Sequence, residues 1–414
     1  DLKGTEPDNM HDMMVRVVEK PLLEIVMHHA DHNQSRAAEW LGLNRNTLRK
    51  KLLETARDRF KRCVDSDRDN RRLAVDDLKF LHEPGEQWDS ATRSERGNRP
   101  CFEFNRSRVS AKRIVNAIRA NRPQGKVRAV EDGDKDTSTV VEGLCRNVWN
   151  VSDGDAAIDG AAEYQVGGGM GAWRLNTRYS SDDSWSQDIV VESIRNPFAL
   201  WADPAARDPM KRDADFWFLE SRISKTAYEA KYGKVPSVEW EASEFDDDDE
   251  WEDDDRVRIC EYWYKQPVQK TLGLLSDGST VDMAEFKGGT KMDENGQPVP
   301  LTVIRTRPVN SHKICMVIMS GDKILEGPVD WAGSKFPFVM IYGEHIVIDG
   351  KPKWWGLVRH SKDAQRLHNL MLTNAAETAA NAPLAKWWAT PVQAEGLTGQ
   401  WAKAHKENLP FLLA

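Results

Sequence analysis

The chain has few cysteines, and none of them lie close together in sequence. The cysteines are an odd number in 414 residues, no CxxC occurs, and they stand at Cys63, Cys101, Cys145, Cys260 and Cys315. Disulfide frameworks and structural zinc sites need cysteines at short, regular spacings. The sequence therefore argues against both classes and predicts a protein of a reducing compartment.

Long apolar runs are also missing. No stretch approaches the roughly twenty apolar residues that cross a bilayer. The first residues, DLKGTEPDN, have neither the basic flank nor the apolar stretch of a signal peptide. We expect a soluble, intracellular protein with no membrane-spanning segment.

Motifs of catalysis are absent from the sequence as well. It contains no Walker loop, no GxSxG elbow and no HExxH. The glycine run at 167–171 follows a helical pattern and precedes a strand, whereas a phosphate loop needs strand, glycine turn and helix in that order. We interpret it as a helix C-terminus with a tight entry into a strand. We predict no enzyme, no catalytic residue and no cofactor.

A histidine cluster near the N-terminus is the one hint of a metal site. His28, His29 and His32 lie close together in sequence, but only Asp31 accompanies them as a further ligand type. The simpler interpretation is that they are partly exposed residues at a helix end. We predict no metal site.

Charge is distributed unevenly along the chain. The formal net charge is -8, of which residues 1–62 contribute +2 and the remaining 352 residues -10. Between Glu244 and Asp255, ten of twelve residues are acidic. Such density favours a disordered, solvated loop, with an ion-binding or partner-docking loop as the alternative.

The stretch Asn33–Leu52, NQSRAAEWLGLNRNTLRKKL, has the pattern of a helix-turn-helix. Apolar residues recur at helical spacing on both sides of Gly42, which permits the turn, and Asn44 is suited to cap the second helix. From Leu43 to Arg62, eight Lys or Arg face two acidic residues. This excess favours DNA contact over an ordinary basic surface helix.

The remainder of the chain predicts an α+β fold. Helical patterns cover Glu54 to Leu81 and the ranges Arg108–Asn121, Thr137–Val151 and Ala156–Val166, with a further helix at Ser361–Ala382. Between them lie short β-branched and aromatic segments, predicted as a largely antiparallel region: WRLNTRY, IVVESI, FWFLESRI, VRICEYWY, LTVIRTRPV, KICMVIMS and FPFVMIYG. The small residues of the last helix suit close packing, either in an oligomer or in a buried core.

The helix-turn-helix segment resembles the C-terminal part of the nucleoid protein Fis, from VVEKPLLEIVMHHADHNQSRAAEWLG through LNRNTLRKKL. The resemblance implies that the first motif helix begins at the DNA backbone and that the second lies in or beside a major groove. The residues implied at the backbone are Asn33, Gln34 and Ser35, and those implied at the groove are Asn44, Arg45, Thr47, Arg49 and Lys50. Fis acts as a dimer that bends DNA.

From about Ala56 to the last residue, the chain resembles the portal proteins of short-tailed phages. Five collinear blocks carry the resemblance: ARDRFKRCVDSDRDNRRLAVDDLKFLHEPGEQWD, RPCFEFNR, IVNAIRANRP, IRNPFALWADPAARDPMKRDADFWFLE and GLVRHSKDAQRLHN. It implies a ring, usually of twelve subunits, at one capsid vertex of the virion, assembled in the host cytoplasm. Double-stranded DNA would pass through the ring, and terminase, capsid and tail adaptor proteins would bind to it.

The two resemblances imply four regions. Residues 1–55 would be the Fis-like helix-turn-helix, 56–355 a portal wing, 356–386 a stem helix bordering the channel, and 387–414 the start of a truncated clip. They meet near Leu53 to Arg57 without a linker, as in a natural fusion, an artificial chimera or two joined coding fragments. The alternative function is a Fis-like regulator or architectural protein carrying a portal-like passenger.

Overall fold

A computed structural model describes residues 45–122, 125–129, 135–235, 240, 256–292 and 298–380, with residues 390, 392, 395, 396 and 399 singly. Its helices are α1 (Arg45–His82), α2 (Ser90–Arg96), α3 (Arg106–Ala120), α4 (Lys135–Val151), α5 (Gly154–Gly167), α6 (Lys225–Tyr232) and α7 (Val358–Ala380). Its strands are β1 (Met170–Tyr179), β2 (Gln187–Ser193), β3 (Leu200–Ala202), β4 (Phe216–Ser224), β5 (Arg256–Leu275), β6 (Thr280–Asp282), β7 (Thr290–Met292), β8 (Pro298–Pro300), β9 (Val303–Met319), β10 (Ile324–Trp331), β11 (Phe338–Tyr342), β12 (Glu344–Ile348) and β13 (Lys351–Trp355). The histidine cluster and the acidic run of the sequence lie outside the described residues.

Helix α1 buries one face along its length. Leu53, Ala56 and Phe60 are buried at helical spacing, and charged residues occupy the opposite side. The helix ends just before Pro84 and Gly85, and Gly85 has a φ of +94°. The predicted helix over this stretch is confirmed, and it continues without a break across the meeting point of the two resemblances.

The other predicted helices are confirmed with small shifts at their ends. The pattern over Arg108–Asn121 is α3, that over Thr137–Val151 is α4, and that over Ala156–Val166 is α5. The last predicted helix, Ser361–Ala382, is α7, and its residues 381 and 382 lie outside the described part of the chain. Local helical patterns and helix-ending prolines were sufficient to find these helices.

The glycine run ends α5 and starts β1, as the order of elements predicted. The amides of Gly168 and Gly169 both donate to the Tyr164 carbonyl, at 2.8 and 3.0 Å. Gly169 has a φ of +99°, and a Cβ added there would lie 2.4 Å from the Trp355 carbonyl carbon. Only glycine fits this close approach of backbones. The run is therefore a structural junction.

The described strands pair antiparallel, which confirms the predicted β class. The largest sheet has the order β10–β9–β5–β4–β3, with β6 added to β5. A three-stranded sheet has the order β11–β1–β2, and two-stranded pairs are formed by β12 with β13 and by β7 with β8.

One detail of the strand prediction was wrong. The segments LTVIRTRPV and KICMVIMS were predicted as two strands, but Val303–Met319 is a single strand of 17 residues that pairs with β5 over its whole length. Pro308 does not interrupt it, because Pro308 lies in the part of β9 that pairs with β5 but not with β10. Pro308 and Asn310 suggested a turn in the sequence, but pairing with β5 continues the strand through both residues.

The described residues form two compact units, one drawn from 45–78 and 111–359 and the other from 79–110 and 360–399. In the first unit, Phe60 of α1 sits among aromatic rings. It meets Trp201, Phe218 and Trp240 edge-on at centroid distances of 5.7, 5.4 and 5.3 Å. Such packing stabilises by shape as well as by buried area. Phe60 thereby fixes α1 onto the largest sheet.

The first unit also carries an ion-pair link between its sheets. Arg174 on β1 donates to Glu192 on β2 at 2.8 Å and to Glu261 on β5 at 3.1 Å. Trp263 adds a hydrogen bond from its indole nitrogen to Glu261 at 3.0 Å. The partly buried carboxylate of Glu261 is thus satisfied from two elements.

The second unit is organised around α7. Its short helix α2 begins at Asp89, whose carboxylate accepts from the amide of Thr92. Arg96, which is buried at the end of α2, donates to the Glu377 carboxylate at 2.5 Å and to the Pro100 carbonyl at 3.1 Å. These bonds attach the loop after α2 to α7.

Candidate nucleic-acid interface and assembly helix

The predicted DNA-contacting residues lie at the N-terminal end of α1. Thr47 and Arg49 are half-buried, and Lys50 is exposed. The Arg49 Nε is buried without a hydrogen-bond partner among the described residues. For Arg45 only the helical backbone is described, so it is placed at the first residue of α1. The other predicted residues, Asn33, Gln34, Ser35 and Asn44, lie outside the described part.

This end of α1 is joined directly to the core of the first unit. Leu53, one helical turn after Lys50, is buried, and Leu52 packs against the same aromatic cluster as Phe60. Within the described helix there is no flexible segment between Lys50 and the core. A ligand bound by these side chains would be held at a fixed angle to the first unit.

Arg59 connects the next turns of α1 to the sheet. Its guanidinium donates to the Tyr262 hydroxyl at 2.5 Å and lies 4.8 Å from the Phe216 ring centroid. Burial raises the pKa of Tyr262 to about 12, although the charge of Arg59 acts in the opposite direction. Tyr262 is therefore a neutral hydrogen-bond acceptor for Arg59, and the pair has a structural role.

A small cavity in the first unit is the best-enclosed space near α1. Its volume is about 30 Å³, and Asp67, Arg71, Trp201 and His345 contribute to its lining. That volume accommodates roughly one or two water molecules and no nucleotide. Burial, followed by the charge of Lys211, lowers the pKa of His345. The cavity is suited to an ordered water and not to a substrate.

The chemistry around the cavity gives no nucleophile. Burial and the charge of Asp203 raise the pKa of the Cys63 thiol, and its sulfur donates to the Ala202 carbonyl at 3.4 Å. The reactive form of cysteine is the thiolate, which this setting disfavours. In the described ranges, no three His, Cys, Asp or Glu side chains are grouped as a metal site requires.

The inner face of α7 is polar. Gln365, Asn369 and Thr373 are buried at four-residue intervals along this helix. Gln365 accepts from the amides of Arg106 and Ser107 at 2.9 and 3.1 Å. Buried amide side chains that satisfy backbone groups in this way specify one position for a helix.

Asn369 extends the same network. It accepts from the amide of Phe104 at 2.9 Å and donates to the Gln87 side-chain oxygen at 2.9 Å. Gln365 in turn donates to Asn369, also at 2.9 Å. Gln365 and Asn369 thus hold the inner face of α7 through a network of hydrogen bonds.

The outer face of α7 is apolar. Leu367 is 52% exposed, Met371 63% and Leu372 37%. Alanines at 375, 376, 379 and 380 continue the exposed surface with small side chains. A globular protein normally orients a helix the opposite way, with apolar residues inside. The small residues of α7 therefore lie at the surface of the chain, which favours the oligomer interpretation over the buried core, the two alternatives that the sequence left open.

Sequence reasoning missed the polar face of α7. Its signal is present, since Gln365, Asn369 and Thr373 repeat every four residues while Leu367 and Met371 repeat every four residues on another side. The same pattern is equally compatible with a polar face that is exposed to solvent. Only the contacts with Phe104 and Gln87 establish that the polar side is inside.

These features define the class of protein. The first unit is rich in β-strands and has its own aromatic core, and helix α7 exposes small and apolar residues. An exposed apolar helix face of this kind is typical of a subunit of a larger assembly. No helix in the described ranges is long and apolar enough to cross a membrane.

Comparison with known proteins gives the family. The family described as phage P22-like portal protein matches residues 57–414. The portal protein of Acyrthosiphon pisum secondary endosymbiont phage 1 is 28% identical over 387 residues, which cover 88% of this chain and 52% of that protein. The chain belongs to the phage P22-like portal protein family, and it spans about half the length of this relative.

A second family matches the segment before the portal region. The Fis family of bacterial regulatory proteins matches residues 14–54. A Fis-like DNA-binding protein of Ralstonia nicotianae is 60% identical over 52 residues, covering 13% of this chain and 68% of that protein. One of Neisseria meningitidis is 59% identical over 54 residues, with the same coverage. Both resemblances seen in the sequence are confirmed.

Proposed function

We propose that this chain is a structural subunit of a phage portal. In this role, copies form a ring, twelve-fold in the simplest case, at one vertex of the capsid, and duplex DNA enters and leaves through it. Terminase, capsid and tail adaptor proteins bind to the ring. The virion is then its final location and the host cytoplasm its place of assembly. Family membership supports a structural, non-enzymatic role.

The observation that carries this proposal is the orientation of α7. Gln365 and Asn369 on its polar side are hydrogen-bonded inside the second unit, whereas Leu367 and Met371 face outward. Neighbouring copies would cover these side chains in a ring, and the alanines near its end allow close approach of helices.

The test is the mass of the purified chain. Mass photometry and negative-stain electron microscopy are expected to show multimers and rings for the wild type. A variant with Leu367→Glu and Met371→Glu places two charges on the outer face of α7. We expect this variant to form neither multimers nor rings. Ile304→Glu, at a 65% exposed aliphatic residue of β9, is the matched control and should assemble normally.

The outcomes separate clearly. A wild type that remains monomeric and shows no rings contradicts the portal proposal. Assembly of the α7 variant at the wild-type level contradicts the role given to α7. Circular dichroism of all three proteins verifies that the substitutions leave the fold intact.

The regions of this proposal follow the sequence. Residues 1–55 form the Fis-like segment, 56–355 the wing, 356–386 the stem helix and 387–414 the start of the clip. Limited proteolysis tests these bounds: cleavage should concentrate near residue 386 and should spare the uninterrupted helix around residue 55. Early cleavage within α1 would contradict the continuity of that helix across residue 55.

We propose a second role for the N-terminal segment, which is binding of duplex DNA. The residues assigned to it are Asn33, Gln34, Ser35, Asn44, Arg45, Thr47, Arg49 and Lys50, and the Fis family match supports the assignment. Substituting Arg45→Ala and Arg49→Ala should weaken salt-sensitive duplex binding at least tenfold. Arg72→Ala with Lys79→Ala, at exposed residues farther along α1, should leave it unchanged.

This second role also defines the alternative function, a DNA-binding regulator or architectural protein with a portal-like passenger. A chain that binds DNA tightly, stays monomeric and forms no rings would favour it. Unchanged DNA affinity in the Arg45 and Arg49 double variant would contradict it.

A further inference from the structure

Helix α4 has an apolar side that the first unit leaves uncovered. None of its 17 residues is buried. Val140, Leu144 and Val151 are 62%, 60% and 58% exposed, and they share the apolar side of an amphipathic helix. Helices of this kind gain most of their stability by packing that side against something. The uncovered side of α4 therefore requires a partner.

The β1–β2 hairpin extends this surface. Leu175, Tyr179 and Ile189 are 40%, 54% and 55% exposed, and the strand register places them on one face. Gly171 belongs to the same face, and a Cβ there would lie 2.0 Å from the Ala161 carbonyl oxygen of α5. This face is therefore the one toward the helices, and α4 lies against β2. We call the combined area the hairpin–α4 surface.

The tip of the hairpin carries an exposed tryptophan between negative charges. Trp185 is 92% exposed, and Asp182 and Asp183 precede it. The loop is closed by a hydrogen bond from the Ser180 amide to the Ser186 carbonyl at 2.9 Å. Tryptophan is the side chain most often responsible for binding energy at protein interfaces. The rim of the hairpin–α4 surface is thus acidic and aromatic.

A surface of opposite charge lies elsewhere on the same unit. Residues 111–128 contain six Lys or Arg and no Asp or Glu, in a chain of net charge -8. Three of the six are neutralised by carboxylates of α5, in the pairs Lys112–Glu163, Arg119–Asp159 and Arg122–Asp155.

The other three cations of this segment remain available. Arg113, Lys126 and Arg128 are exposed and form no ion pair among the described residues. Ile114, next to Arg113, is 40% exposed. We call the exposed residues Arg113, Ile114, Lys126 and Arg128 the basic surface.

We propose that the hairpin–α4 surface of one copy packs against the basic surface of a second copy of this chain. Charge complementarity selects this occupant, because an acidic rim with an exposed Trp185 would meet the exposed cations Arg113, Lys126 and Arg128. The two surfaces differ, so the contact is head-to-tail, the kind that closes into a ring. The inference rests on the proposed portal function and names the faces that meet.

Charge reversal tests the pairing on the full chain. One variant carries Asp182→Lys and Asp183→Lys, and the other carries Arg113→Glu, Lys126→Glu and Arg128→Glu. Each alone brings like charges together and should raise the concentration needed for assembly by on the order of tenfold or more. Combining all five substitutions in one chain should restore assembly. Asp58→Lys with Asp76→Lys, at exposed residues of α1, is the matched control and should assemble normally.

Mixing the two charge-reversed variants tests the pairing more directly than measuring each variant alone. A head-to-tail contact predicts that the two single-surface variants assemble together although neither assembles alone, because each then meets opposite charge on both sides. Mass photometry of the mixture, with one variant carrying a mass tag, should show multimers that contain both. Trp185→Ala should weaken wild-type assembly without changing the melting temperature of the unassembled chain.

The failures of the two proposals are distinguishable. If the wild type does not assemble, the portal proposal fails and this one with it. If the wild type assembles and the charge-reversed variants assemble equally well, the ring stands and the pairing is wrong. If each variant is impaired but neither combination nor mixing restores assembly, the two surfaces do not meet each other, and the pairing is again wrong.

Discussion

The guanidinium of Arg71 lies 3.6 Å from the ring centroid of Trp201. The same group donates to the carbonyls of Phe198 and Leu200 at 2.5 and 2.7 Å and to the Asp67 carboxylate at 2.8 Å. A cation on α1 thus satisfies the turn that leads into β3. Trp201 also shares its cluster with Phe60, so α1 is fixed to the sheet by charge and by packing together.

Removing Arg71 should destabilise the first unit strongly. Arg71→Ala leaves two carbonyls unpaired and removes a buried cation, at a cost of about 3 kcal/mol in the free energy of unfolding. Arg72→Ala, at the exposed neighbour on the same helix, should change it by less than about 0.5 kcal/mol. Denaturant titration of both variants measures the difference, and equal effects would contradict the role of Arg71.

Acid should weaken the contact between α3 and α5. The hydrogen bond from Lys112 lowers the pKa of Glu163, and the charges of Lys112 and Arg119 act in the same direction while burial opposes them. A carboxyl whose pKa is lower in the folded state stabilises above its unfolded pKa, and that contribution is lost as pH falls through the folded value. Glu163→Gln should therefore melt below the wild type at pH 7.

The gap in melting temperature between Glu163→Gln and the wild type should close as the pH drops below about 4. Glu95→Gln, at an exposed carboxylate of α2, controls for the loss of one negative charge. A gap that stays constant from pH 7 to pH 3 would show that the variant acts through packing and not through the charge of Glu163.

Substitution by alanine should destabilise the protein at Gly171 and stabilise it at Gly143. A Cβ at Gly171 would lie 2.0 Å from the Ala161 carbonyl oxygen, so Gly171→Ala forces β1 and α5 apart. A Cβ at Gly143, in the middle of α4, meets nothing within 4 Å, and Gly143→Ala should stabilise that helix by up to about 1 kcal/mol. Thermal melts that move in the same direction for both would contradict the packing described between β1 and α5.

The two sides of α7 should also differ. Asn369→Ala removes the partners of the Phe104 amide and of the Gln87 side-chain oxygen and should cost about 2 kcal/mol in the free energy of unfolding. Met371→Ala, on the exposed side, should cost less than about 0.5 kcal/mol in the unassembled chain. The comparison is made by denaturant titration at a concentration where the chain is monomeric. An equal loss of unfolding free energy in the two variants would contradict the placement of Asn369 on the inner face and Met371 on the outer face of α7.

The five longer helices and the strands β1, β2, β4, β5, β9 and β11 could be predicted from the sequence, because helical spacing and runs of β-branched residues report local preference, whereas α2, α6 and the remaining strands were missed. Helix α1 and the helix–glycine–strand junction at 167–171 are examples. The continuity of β9 through Pro308 could not be predicted in this way, since it depends on pairing with β5, which is distant in sequence. The hairpin of β12 and β13 was also missed, although its turn signal, Asp349-Gly350, is local.

The candidate surfaces were predictable only in part. Lys50 and its neighbours follow from a local motif with a clear charge signal. The inward Gln365 and Asn369, the uncovered side of α4 and the exposed Trp185 depend on which neighbours the fold brings, and composition does not reveal this. A polar stripe and an apolar stripe on α7 are visible in the sequence, but the sequence does not indicate which of them is inside.

Assembly through the outward apolar face of α7 is tested most directly by the mass of the purified protein. Mass photometry of the wild type should show multimers of the 47.1 kDa chain, with rings in electron micrographs, and Leu367→Glu with Met371→Glu should return the protein to single chains. A wild type that remains at the mass of one chain and forms no rings would contradict the account.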